Sequence, residues 1–114
     1  MLCHHGECSD GMMSALELLG VFERALFKLE GASRNSQLQL LCLQVGNDDL
    51  LIFQRNHGFL FEDVPFMREV FKLVELLLSK LLFLVDFLGI SYASSAARAI
   101  LQAFRSSLQG QQRV

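Results

Sequence analysis

The sequence predicts an all-α fold: a small helical bundle, or a short solenoid-like helical-repeat module, of about four to five helices. Three observations carry this. Val64 to Leu88 is a nearly unbroken apolar run whose polar residues fall on one line. At helical spacing Arg68, Lys72, Glu75, Ser79 and Asp86 lie within about 40° of a common direction, with Glu69 and Lys80 beside them. Ser14 to Glu30 and Ser91 to Leu108 repeat apolar residues at intervals of three and four. Between Gln37 and Asn56 only Val45 and Ile52 are β-branched, and Leu and Gln, both helix formers, predominate.

Each element follows in order. Residues 1–12 form a polar, Gly-containing leader expected to be disordered. Helix one runs from Ser14 to Glu30, with Leu18, Val21, Phe22, Ala25, Leu26 and Leu29 on one face. Ser14 and Glu17 have capping-box spacing and Gly31 supplies the stop. Gly31 to Ser36 is a loop by composition. In residues 37–56, Leu38, Leu41, Cys42 and Val45 hold an i, i+3, i+4, i+7 face, so two short helices are expected. Asn47 or Asp48 would cap the second, and His57-Gly58 would end it. A β-hairpin turning at Gly46 to Asp49 is the alternative. Phe59 to Glu62 is a link, after which Asp63 is expected to cap the long helix, with Pro65 in its first turn and Gly89 at its end. Ser91 caps the last helix, where Ala93, Ala96, Ala97, Ile100, Phe104 and Leu108 form one face. Residues 13–110 thus read as one α-helical domain and residues 111–114 as a frayed tail.

The stretch LQLLCLQVGNDDLLIFQRNHGFL resembles the stacked helix–turn–helix wording of armadillo and HEAT-like repeats: a Leu-rich helix, a Gly-Asn/Asp corner, then a helix closing on a small residue. The resemblance implies stacked helices. It brings no functional residues with it.

Composition narrows function. The chain is 52% hydrophobic, with 23 leucines, against about 45 to 50% in ordinary domains even when Gly is counted. A chain of 114 residues hides only about 65% of the surface its unfolded form exposes. More apolar surface is present than one small core absorbs, and a protein partner or a second copy is the expected outlet. Net charge is −2 and the ten basic residues are scattered, which excludes the dense cationic patch that direct nucleic-acid binding needs. An odd three cysteines do not make a secreted disulfide framework, and the N-terminus has neither a cationic nor an apolar signal region. Cytoplasm or nucleus is the expected location.

Candidate chemistry is sparse. Cys3, His4, His5 and Cys8 are side chains zinc accepts. Three adjacent residues fit one tetrahedral ion poorly, however, and no second ligand pair follows, so no metal is expected. Cys42 and His57 could make a nucleophile pair, with Asp48 or Asp49 as orienter. Cys42 sits on the expected apolar face, as a small core residue would, and His57 suits a helix C-terminus. The pairs Asp48-Asp49 and Glu62-Asp63 both precede expected helices, where carboxylates serve as caps. Neither a phosphate loop, a nucleophile elbow, an H-E-x-x-H motif nor an EF-hand loop is present. No enzyme and no cofactor are expected.

A membrane-associated protein with one hydrophobic helix around residues 70–93 is the alternative. Over Leu76 to Ala93, eleven large apolar residues at about −0.3 to −0.6 kcal/mol each are offset by Lys80 and Asp86 at up to about +3 each, a sum near zero. The expected function is therefore a non-enzymatic protein–protein interaction module with an exposed Leu/Phe-rich surface. Interfaces concentrate their energy in a few large side chains, which makes exposed members of Phe22, Phe27, Phe59, Phe61 and Phe104 the candidate anchors.

Overall fold

The computed structural model describes residues 5–32 and 34–113. Every element in them is helical: α1 (His5–Gly31), α2 (Ser36–His57), α3 (Leu60–Asp63), α4 (Pro65–Leu88) and α5 (Ile90–Arg113). The all-α class is as the periodicity predicts. The two chain ends differ from expectation, since α1 starts inside the leader and α5 runs on to Arg113.

In α1 the expected face is the buried one: Leu18, Val21, Phe22, Ala25, Leu26 and Leu29 all lie in the core. Ser14 is itself buried within the helix and does not cap it. The helix continues toward its N-terminus because Gly11 is buried there, and a β-carbon at Gly11 would lie 3.5 Å from the Val64 methyls. Gly31 is the last residue of α1. Asn35 then opens α2, its side chain accepting from the backbone N–H groups of Gln37 and Leu38 at 3.1 Å each.

Helix α2 corrects the expected break at Gly46. It is one continuous helix of 22 residues, and the stretch expected to form two short helices or a hairpin has no corner. Gly46 lies inside the bundle, where a β-carbon would come within 2.9 Å of Ala25 Cβ and 3.3 Å of Leu78 Cδ2. The glycine marks close helix–helix approach, with Ala25 as the small residue opposite. That approach fixes which side of α2 is buried. Gln39, Leu43, Gly46, Leu50 and Phe53 face inward at successive intervals of four, three, four and three. Leu38, Leu41 and Val45, expected to face the core, are exposed instead.

The link after α2 contains the single turn α3. Val64 is extended, as the residue before a proline prefers, and it occupies the N-cap position of α4 without a side-chain hydrogen bond. Asp63 closes α3 and is not the expected cap. On α4 the polar stripe is exposed as expected, and Leu77, Leu81 and Val85 are buried. Leu88, at the end of the helix, is 42% exposed, and Leu76, Phe83 and Phe87 also face solvent beside the stripe. Gly89 ends the helix at φ 85°, the left-handed region glycine favours.

Helix α5 begins at Ile90, ahead of the expected Ser91 cap. Its buried residues are Ala93, Ser94, Ala97, Leu101 and Leu108, with Phe104 partly covered, whereas Ala96 and Ile100 are exposed. The face is turned by about 40° from the expected one, toward Ser94 and Arg98. Both of these hold Glu30 of α1: the Ser94 hydroxyl donates to Oε2, and Arg98 donates from Nε to Oε2 at 3.1 Å and from Nη2 to Oε1 at 2.5 Å.

Helices α1 and α4 pack on each other and on both outer helices, α2 and α5. The result is a flattened bundle measuring 46 × 26 × 18 Å, whose thin dimension is about two helix layers. Flattening leaves the outer sides of α2 and α5 without a neighbour.

Candidate interaction surface

Of the five candidate anchors, two are well exposed. Phe27 is 71% and Phe59 65% exposed. Phe22 is fully buried and is a core residue, because it shares the α1 face with Leu18, Leu19 and Leu26. Phe61 and Phe104 are partly buried against the core, Phe61 lying 5.1 Å from the Phe71 ring and 6.4 Å from that of Phe53.

One exposed apolar row was expected to be core. On the outer side of α2, Leu38, Leu41, Val45 and Ile52 are all exposed and follow one another at helical spacing. They form a row about 21 Å long at 1.5 Å per residue, with half-buried Cys42 at its margin. Asp48 and Asp49 sit along the same row in the middle of the helix, not at its N-terminus as caps. The helix thus carries two apolar faces, one used by its own bundle and one left open.

A second feature lies between α1 and α5. Glu23, Arg24, Phe27 and Lys28 of α1 and Arg98 of α5 line an open groove of about 470 Å³. Arg98 is paired with Glu30, and Arg105 with Glu23 at 3.2 Å. The hydrogen bond to Glu30 holds the Arg98 guanidinium above its ordinary pKa. Arg24 and Lys28 make no ion pair among the described residues, so the groove wall has a local surplus of positive charge around an exposed aromatic ring. A third apolar spot is the Phe83–Phe87 stack on α4, with ring centroids 6.1 Å apart.

The chemical alternatives fare differently. Cys42 and His57 lie on one continuous helix, about 22 Å apart along its axis, so they form no nucleophile–base pair. The His57 ring stacks on Phe53 at 4.3 Å, and its Nδ1 is 3.3 Å from the Phe53 carbonyl oxygen, as a helix-end histidine would be placed. The ligand side chains of the cluster Cys3, His4, His5 and Cys8 all lie outside what the structure describes. Among the described residues no group of three His, Cys, Asp or Glu side chains could hold a metal, and no helix is long and apolar enough to cross a membrane. The stretch around residues 70–93 is divided between α4 and α5 at Gly89.

Comparison with known proteins returns no matching family model, no matching curated protein and no matching solved structure. The sequence signal missed for the surface was the glycine. A Gly at position 46 flanked at three- and four-residue intervals by Gln39, Leu43, Leu50 and Phe53 defines a core face as well as Leu38, Leu41 and Val45 do. Arg24 and Lys28 gave no signal of their own, since basic residues on an outer helix face are ordinary.

Proposed function

We propose that the chain is a non-enzymatic α-helical protein–protein interaction module that receives a protein partner on the outer row of α2, with the Phe27 groove as a second contact. The observation that carries this is the second apolar face of α2, exposed along four turns beside two carboxylates that make no ion pair among the described residues. Covering a half-exposed Leu or Ile contributes about 1 kcal/mol, so the row and one aromatic anchor supply the central patch of a working interface. An amphipathic helix laid along an apolar row is a common form of such contact. Half-buried, unpaired Cys42 is consistent with a reducing compartment, cytoplasm or nucleus.

The test is capture of a protein partner from cell extract by the wild-type chain and by the double variant Leu41→Ser/Val45→Ser. The variant should bind at least about tenfold more weakly while its urea midpoint stays close to wild type, because both side chains are on the surface. Cys42→Ser and His57→Ala should leave binding intact. Unchanged capture by the row variant, together with a measurable turnover abolished by Cys42→Ser or His57→Ala, would replace the module with an enzyme.

A further inference from the structure

Resting on the interaction-module reading, we propose that the occupant is a second copy of this chain, with the Phe27 groove of one copy taking the α2 row of the other. Charge selects this pairing. In the groove Arg98 and Arg105 are matched by Glu30 and Glu23, which leaves Arg24 and Lys28 without an acid. On α2, Asp48 and Asp49 make no ion pair among the described residues; the unmatched cation Arg55 lies three residues beyond Ile52, in the last turn of the helix. The chain as a whole is at −2, so the basic groove is a local exception, and its complement is an apolar surface bearing two adjacent carboxylates. This chain carries that surface itself.

Shape and size agree. Arg24, Phe27 and Lys28 fall within little more than one turn of α1. On α2, Val45 to Ile52 spans about 10 Å, with Asp48 and Asp49 between them, so one aromatic ring set beside two cations meets apolar side chains set beside two anions. The Phe83–Phe87 stack offers no such match, because Lys72, Glu75, Lys80 and Asp86 alternate in sign around it. Every copy carries both halves, as self-association by either a two-fold or a head-to-tail contact requires.

The experiment is sedimentation equilibrium of the full chain over a wide concentration range, with folding checked by circular dichroism. Wild type should rise above the 12.9 kDa monomer mass as concentration increases. Arg24→Glu/Lys28→Glu and Asp48→Lys/Asp49→Lys should each weaken self-association at least about tenfold, since each places like charges face to face. The quadruple variant, with both sets reversed, should recover it to within about threefold of wild type. Wild type at monomer mass throughout would overturn the proposal, and so would a folded quadruple variant that fails to recover, or swaps without effect. Capture of a different protein through Leu41 and Val45 by a chain that stays monomeric would leave the interaction-module reading standing and this inference refuted.

Discussion

The bundle depends on the absence of one atom. Adding a β-carbon at Gly46 would place it 2.9 Å from Ala25 Cβ and 3.3 Å from Leu78 Cδ2. The Leu78 methyl can rotate away. Ala25 Cβ is fixed to the α1 backbone, so α1 and α2 must separate by several tenths of an ångström along their whole contact. Alanine is favoured over glycine by about 1 kcal/mol in a helix interior, while overpacking a filled core costs about 1 to 3 kcal/mol and more where backbone must move. Gly46→Ala should therefore be destabilising by about 1 to 2 kcal/mol, lowering the midpoint of thermal unfolding by about 4 to 8 °C for a domain of this size. Gly20→Ala is the internal control. Gly20 also lies within a helix, but its added methyl meets only the end of the flexible Arg24 side chain at 3.4 Å, so propensity should prevail and stability rise by about 0.5 to 1 kcal/mol. Urea unfolding of the two variants and wild type, followed by far-ultraviolet circular dichroism, reads both signs. If both variants stabilise, Gly46 is an ordinary helical glycine, and the close approach does not set the facing of α2.

Three further perturbations probe other parts of the fold. Leu81→Ala should cost about 2 to 5 kcal/mol in urea melts, since Leu81 is fully buried, and Glu75→Ala well under 1 kcal/mol; equal losses would mean that the α4 stripe is not a solvent seam. Glu30→Ala removes the acceptor shared by buried Ser94 and by Arg98 and should cost about 1 to 3 kcal/mol, with Glu30→Gln recovering part of it; no loss would show that the contact does not hold α5 to α1. Asn35→Ala deletes the α2 cap and should cost about 1 kcal/mol, with Asn35→Asp near wild type; an unchanged melting curve would refute the cap.

What the sequence made legible was what one dominant signal specified. Helix α1 has a single apolar face, so periodicity found its core residues, Phe22 included, although the same residue had been a candidate anchor. The polar line on α4 was legible for the same reason, and Gly89 and Pro65 punctuated the chain where their backbone constraints require. Errors arose where two signals competed. Gly46 has the appearance of a turn residue when followed by Asn47 and two aspartates, yet a helical glycine used for close packing has the same local sequence. The facing of α5 was misjudged because Ile100 is the more apolar choice, and only a tertiary partner, Glu30 some 64 residues from Ser94, pulls the helix round to bury Leu101.

The same competition explains why the surface could be read only after folding. Hydrophobic periodicity reports that a face needs cover, and it does not say by what. Helix α2 has two faces that meet the requirement, one built of Leu38, Leu41 and Val45 and one of Leu43, Leu50 and Phe53 around a glycine. A larger side chain at position 46 would have held α2 off from α1 and let the first face compete for the core. With glycine there, the second face approaches more closely and gains more contact, and the first is left outside. A surface of that origin is a core face without a core. Leu41 and Val45 should therefore behave as interface residues in any variant that keeps Gly46, whereas a folded Gly46→Ala chain should show altered exposure at both. Hydrogen exchange along α2 tests the continuity of the helix: in wild type the amides of the row share the protection of the inner face, because one continuous helix protects both. Separate protection on either side of residue 46 would mean that the expected two short helices, and not the continuous one, describe the chain in solution.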